Sequence, residues 1–186
     1  LAVVHNGIIE NYQELKARLT AAGYQFTSDT DTEVVAHLIN QHLRENGGDL
    51  LAAVRQSVAQ LTGAYSLGVI CREDPNRMIA ARAGSPLVLG VGIEEHFIAS
   101  DVFALAPVTQ SFVFLEEGDV AEVQRERFTI YDRTGQTVER PLSYSGQMGS
   151  AASKSGYRHF MLKEIFEQPA VVAETLEGRV HQGRLL

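Results

Sequence analysis

The sequence predicts an α+β fold in which helices are layered on antiparallel sheets, and three observations carry that reading. Residues 12–61 place apolar side chains at helical spacing, residues 64–131 break into short β-rich runs divided by turn residues, and an apolar run of strand character, Leu1-Ala-Val-Val4, opens the chain. Helices followed by strands, with no regular alternation of the two, is the pattern of a segregated fold.

The opening run reaches Asn6-Gly7 and then a polar, amide-rich segment that does not continue the alternation of a hairpin. A strand ending in a turn at Asn6-Gly7 is therefore expected. Tyr12, Leu15 and Leu19 give a short amphipathic helix over 11–22, with Gly23 where a helix C-terminus favours a left-handed residue. Tyr24-Gln-Phe-Thr27 alternates as a short strand. Thr30 and Glu33 have capping-box spacing and should start a helix whose apolar face is Val34, Val35, Leu38, Ile39 and Leu43. That helix stops at Asn46-Gly47-Gly48, and Leu50, Leu51, Val54, Val58 and Leu61 form the next.

From Gly63 the period changes to that of strands. Ala64 to Cys71, Met78 to Arg82, Leu87 to Val91, His96 to Ala99, Phe112 to Leu115, Val120 to Val123 and Phe128 to Tyr131 are the candidates. Asp74-Pro75-Asn76, Gly84-Ser85-Pro86, Gly92 to Glu95, Glu116 to Asp119 and Arg133-Thr134-Gly135 supply turn chemistry between them. Asp101 to Ala106 reads as one helical turn. Residues 143–156 hold five Ser and three Gly among fourteen, the mark of a flexible connection. Beyond it, Tyr157 to Pro169 and Ala170 to Leu176 are helical in pattern but too short for a domain. The expected organisation is thus a domain over 1–142, a linker over 143–156, and the beginning of a second domain over 157–186.

Composition narrows the function classes. The chain is 45% hydrophobic and 21% charged, an ordinary globular balance, and its 16 basic against 23 acidic residues give a net charge of -7 with no basic run. Nucleic acid is not an expected partner. No apolar segment reaches the roughly 18 residues of a membrane span, so a cytoplasmic enzyme is expected. A single cysteine, Cys71, excludes an internal disulfide framework, and it sits in an apolar strand with no neighbouring group to activate it. His37 and His42 are five apart, not the four that would set two ligands on one helical face, so no metal site is expected.

Two places carry candidate chemistry. A carboxamide NH2 at Asn6 and a main-chain N–H at Gly7 can aim two donors at one oxygen, although Asn-Gly serves equally well as a hairpin turn on pattern alone. Asp31, at a loop-helix junction, suits either a helix N-terminus or a substrate ammonium.

The strings His5-Asn-Gly-Ile-Ile-Glu-Asn11, Thr30-Asp-Thr-Glu-Val34, Ala80-Ala-Arg-Ala-Gly-Ser-Pro86, Ile98-Ala-Ser-Asp101, Phe114-Leu-Glu-Glu-Gly-Asp119 and His159 to Pro169, taken in series, resemble the isomerizing glutamine–fructose-6-phosphate aminotransferases, also called glucosamine-6-phosphate synthases. The resemblance runs through the whole chain. It implies a four-layer αββα N-terminal-nucleophile hydrolase fold, that of class II glutamine amidotransferases, truncated at its N-terminus and followed by the start of a sugar isomerase domain. In that family an N-terminal cysteine, with its own α-amine as base, attacks the amide of glutamine. The ammonia passes to the isomerase domain, where fructose 6-phosphate becomes glucosamine 6-phosphate. By position, Asn6 and Gly7 match the oxyanion hole and Asp31 the carboxylate that holds the α-amino group of glutamine. The nucleophile has no match here, since Cys71 lacks a free α-amine, and the chain alone is expected to be inactive. No cofactor is expected, and a homodimer is expected of the full-length protein. The rival readings are another class II amidotransferase, such as glutamine phosphoribosylpyrophosphate amidotransferase or asparagine synthetase, and a non-catalytic glutamine-sensing domain.

Overall fold

The computed structural model describes residues 1–144, 156–176, 180–181 and 184–185. The chain divides into two compact units, Leu1–Ser145 and Gly146–Leu186. In the first, β1 (Ala2–Ile9) leads into three helices, α1 (Tyr12–Ala21), α2 (Asp31–Glu45) and α3 (Leu50–Val58). The strands follow: β2 (Gly63–Cys71), β3 (Asp74–Ala83), β4 (Val88–Val91), β5 (His96–Ala99), β6 (Ser111–Phe114), β7 (Val120–Val123), β8 (Phe128–Tyr131), β9 (Thr137–Val138) and β10 (Leu142–Tyr144). They form two antiparallel sheets with strand orders β1-β2-β3-β7-β8-β9 and β10-β6-β4-β5.

Period-two alternation assigns each face of the larger sheet to its own core. Ile9, Leu67, Val69, Ile79, Ala81 and Val120 point to α1, α2 and α3, where Leu19, Val34, Val35, Leu38, Ile39 and Leu50 are fully buried. Each such aliphatic side chain contributes about 1.5–3 kcal/mol by leaving water. On the other face Ala80, Ala121, Val123 and Ile130 pack with Leu89, Val113 and Leu115 of the second sheet and its flanks. Ala80 and Ala121 stand opposite each other in the β3–β7 register, and both are fully buried. The outer face of the smaller sheet carries Val88 and Phe112, covered by Val102 and Leu105 of a 3₁₀ turn over Val102–Ala104 and the segment after it. The layers run helices, sheet, sheet, and a short helical cover.

Several local expectations give way to tertiary pairing. Asn6-Gly7 is not a turn: β1 runs straight through it to Ile9, with Asn6 opposite Ser66 and Gly7 opposite Tyr65. Glycine is required there because φ is +133° and a Cβ would lie 2.1 Å from the Ala64 carbonyl oxygen. Residues 24–27 join no sheet. Their alternation instead seats Tyr24 and Phe26 against His37 of α2, with ring centroids at 5.1 and 4.7 Å. The Thr30–Glu33 capping box does not form. Glu33 accepts from the N–H and hydroxyl groups of Thr27 and Ser28, fastening the preceding loop to the helix. Asp74-Pro75-Asn76 begins β3, and the turn falls earlier, at Arg72-Glu73.

Two short strands, β9 and β10, lie beyond the last strand expected from the sequence. β10 pairs Ser143 with Phe112 and Tyr144 with Ser111. Arg140, just before it, makes a bidentate pair with Asp119, at 2.9 Å to each carboxylate oxygen, and Asp119 also accepts the Glu116 N–H. Residues 145–155 of the expected 143–156 connection lie outside the described residues. In the second unit α4 (Phe160–Leu176) is continuous through Pro169, and β11 (Val180–His181) pairs with β12 (Arg184–Leu185).

Candidate functional site

β1 organises the predicted residues because its alternation sorts them. Val3 and Ile9 belong to the helix-side core, and His5 shares their parity. Val4 and Ile8, each 67% exposed, lie on the opposite face with Asn6. β1 ends its sheet, so its outer edge is unpaired among the described residues.

On the face away from the helices, Asn6 lines a cavity of about 260 Å³ with Val4, Ser66, Gly68, Ile98 and Ser100. Its Nδ2 donates to Ser100 Oγ at 3.0 Å, a bond that joins the edge strand of one sheet to the end of β5 in the other. Ser66, its register partner, turns its hydroxyl toward the Asn6 carbonyl at 3.5 Å.

On the helix side and edge, Asp31 is the first residue of α2, yet its carboxylate reaches β1. Oδ2 accepts the Ile9 main-chain N–H at 2.8 Å, and Oδ1 lies 3.8 Å from His5 Nδ1. The helix begins without a side-chain cap at Thr30, and Asp31 stands in its first turn, where a negative charge also complements the helix dipole. The His5 side chain is only 2% exposed. Its Nδ1 is 2.9 Å from Thr32 Oγ1, and its Nε2 is buried with no partner among the described residues. The structure therefore sets Asn6, Gly7 and Asp31 along one strand, Asn6 on one face and Asp31 at the strand's far end.

Sequence reasoning gave no role to His5, Thr32 or Ser100. Strand parity pointed His5 inward once β1 was known to run through it. Ser100 meets Asn6 across 94 positions of sequence, which no local pattern reports.

Other groups are already engaged. Cys71 is buried in β2 and donates to Glu73 Oε2 at 3.1 Å, as befits a structural thiol. Tyr65, opposite Gly7, has its phenol pushed up to about 12 by burial and then by the Glu117 charge, so it stays neutral. A larger cavity, about 560 Å³, lies by α3 and is lined by Arg55, Tyr65, Asp119, Asp132 and Arg133. None of the predicted residues reaches it. Its carboxylates are taken up locally, Asp119 by Arg140 and Asp132 by Thr134 and Gln136, and we read it as a packing groove. Among the described residues no three His, Cys, Asp or Glu side chains gather as metal ligands, and no helix is long and apolar enough to cross a membrane.

The family described as glutamine amidotransferase domain matches residues 1–107. The chain belongs to that family. Among curated relatives, the isomerizing glutamine–fructose-6-phosphate aminotransferase of Idiomarina loihiensis is 56% identical over 182 residues, covering 98% of this chain and 30% of the relative. That of Shewanella oneidensis is 54% identical over 186 residues, covering the whole chain and 30% of the relative. The chain thus spans under a third of the length of these aminotransferases.

Among solved structures, the glutamine phosphoribosylpyrophosphate amidotransferase of B. subtilis, complexed with ADP and GMP, superposes with a TM-score of 0.62 at 27% identity, covering 73% of this chain and 30% of that one. A structure described as the allosteric regulatory enzyme of purine biosynthesis gives 0.59 at 27% identity, over 71% of this chain and 28% of that one. The fold is that of the class II amidotransferases, an N-terminal-nucleophile hydrolase with two antiparallel sheets between helical layers.

Proposed function

We propose that this chain is the glutamine-hydrolysing portion of an isomerizing glutamine–fructose-6-phosphate aminotransferase, with residues 1–142 as the amidotransferase domain, 143–156 as the linker and 157–186 as the beginning of the sugar isomerase domain. The observation that carries the reading is the placement of the Asn6 carboxamide. It stands in an open cavity with one Nδ2 hydrogen engaged by Ser100 and the other free, directly before Gly7. Ile9 turns its N–H off the unpaired edge of β1, and two-residue alternation gives the Gly7 N–H the same edge. Two donors on adjacent residues at a strand edge suit an oxyanion.

In this mechanism glutamine lies along the edge of β1 with its α-ammonium on Asp31. A cysteine from outside these 186 residues attacks the side-chain carbonyl, its own α-amine taking the thiol proton. The negative charge moves to the carbonyl oxygen, where the Asn6 and Gly7 N–H groups stabilise it. On collapse the amide nitrogen takes up the proton held on the α-amine and leaves as ammonia, giving a thioester that water hydrolyses to glutamate and the free thiol. The ammonia is used at the isomerase domain to convert fructose 6-phosphate into glucosamine 6-phosphate. The complete enzyme is a cytoplasmic homodimer.

The test is Asn6→Ala in the complete enzyme. Loss of one oxyanion donor lowers glutamine-dependent turnover about 100-fold, and unchanged turnover removes Asn6 from the site. The chain by itself releases no glutamate from glutamine. Measurable release would return the nucleophile to Cys71, and a complete gene lacking a cysteine after its initiator methionine would favour a glutamine sensor.

A further inference from the structure

We infer that Ser100 is a positioning residue for the oxyanion pair: its hydroxyl holds the Asn6 carboxamide so that a donor, and not the amide oxygen, faces the reacting centre. The inference rests on the reading of Asn6 and Gly7 given above. An amide side chain has two unlike ends, an NH2 that donates and a carbonyl that accepts, related by a half-turn about one bond. Asn6 is exposed on its strand, so no packing against a core selects between them. A carbonyl turned toward an oxyanion repels it. The hydrogen bond that holds the amide in this structure runs from Asn6 Nδ2 to Ser100 Oγ, at 3.0 Å, with the serine oxygen as acceptor.

Both ends of that bond are anchored in the backbone. Asn6 lies in the long β1–β2 ladder opposite Ser66. Ser100 directly follows β5, whose Ala99 pairs with Val88, and directly precedes Asp101, which accepts the Phe103 N–H at 2.7 Å and so fixes the start of the 3₁₀ turn. The serine is held between a strand end and a capped turn, with little freedom to follow a wandering amide. Of the two Nδ2 hydrogens it engages one. The other remains for the substrate, which is the division of labour an oxyanion donor needs.

The test is steady-state kinetics of the complete enzyme with Ser100→Ala, Ser100→Thr, Asn6→Ala and the double variant Ser100→Ala/Asn6→Ala. Ser100→Ala is expected to lower kcat for glutamine hydrolysis about tenfold while KM for glutamine changes less than about twofold, because the loosened donor matters in the transition state. Ser100→Thr, which keeps the hydroxyl, should recover turnover to within about threefold. In the Asn6→Ala background the serine substitution should have no further effect, since the group it positions is gone. Thermal unfolding of each variant separates this from loss of fold.

Ser100→Ala with wild-type turnover, or an equal loss with and without the Asn6 carboxamide, overturns the inference. So does a Ser100→Thr enzyme as impaired as Ser100→Ala at unchanged stability. If Asn6→Ala leaves turnover intact, the oxyanion reading itself falls. If Asn6→Ala is slow and Ser100→Ala is not, only the role of Ser100 falls.

Discussion

Ile9, the last residue of β1, donates its main-chain N–H to Asp31 Oδ2 at 2.8 Å, so the first residue of α2 is tied to the strand that carries Asn6 and Gly7. One carboxylate oxygen is committed to the scaffold. The other lies 3.8 Å from His5 Nδ1, and in the function proposed above its lone pairs receive the substrate ammonium.

Asp31→Asn separates these two duties. The amide oxygen still accepts from Ile9, but the charge is lost, and a charge-assisted hydrogen bond is worth about 1.5–3 kcal/mol. In the complete enzyme kcat/KM for glutamine should fall roughly 10- to 100-fold, chiefly through KM. Synthesis driven by added ammonia should be little affected, and equal loss of both activities would make Asp31 a structural residue.

Gly7→Ala tests the backbone at the other half of the site. The new methyl would meet the Ala64 carbonyl, and an L residue at φ +133° is strained even with space around it. A strained backbone conformation of this kind costs about 1–3 kcal/mol, and the clash adds to it. Urea unfolding of the chain should show a loss of at least about 2 kcal/mol, together with inactivity of the complete enzyme. Parental stability would mean that β1 can shift away from β2.

The loop before α2 should be sensitive to acid. The Ser28 hydroxyl and then the Thr27 N–H hold the Glu33 carboxyl down to about 2. Because the folded state binds this proton less readily than the unfolded chain, its contribution is complete above the ordinary carboxylate range. It is lost as pH falls from there toward about 2. The melting temperature of the parent should therefore fall more steeply than that of Glu33→Gln as pH is lowered from about 5 to about 2. Parallel curves would show that the Thr27 and Ser28 bonds do not survive in solution.

The helices and most strands were legible because burial writes a period into the sequence. Leu15 and Leu19, or Val34, Val35, Leu38 and Ile39, are spaced as they are because one face meets a core. Punctuation was less reliable. Asn6-Gly7 has the strongest local turn signal in the chain, yet pairing with β2 keeps it in a strand, and Thr30–Glu33 has capping-box spacing without the box. In both places a partner outside the local window decides the outcome. The family strings located Asn6, Gly7 and Asp31, but the contacts that orient them, Ser100 on Asn6 and Ile9 on Asp31, arise only when sheet and helix close around β1.

Ala80 and Ala121 stand opposite one another, wholly enclosed between the sheets. Asn6 belongs to one wall of the sandwich and Ser100 to the other, so the reach between them is gauged by how near the walls come. A methyl or two added at either alanine would act as a wedge. It would be felt at an amide it never touches, as a slower kcat in an enzyme that still binds glutamine normally, and a coupled rise in KM would argue that the wedge had spread to Asp31 as well.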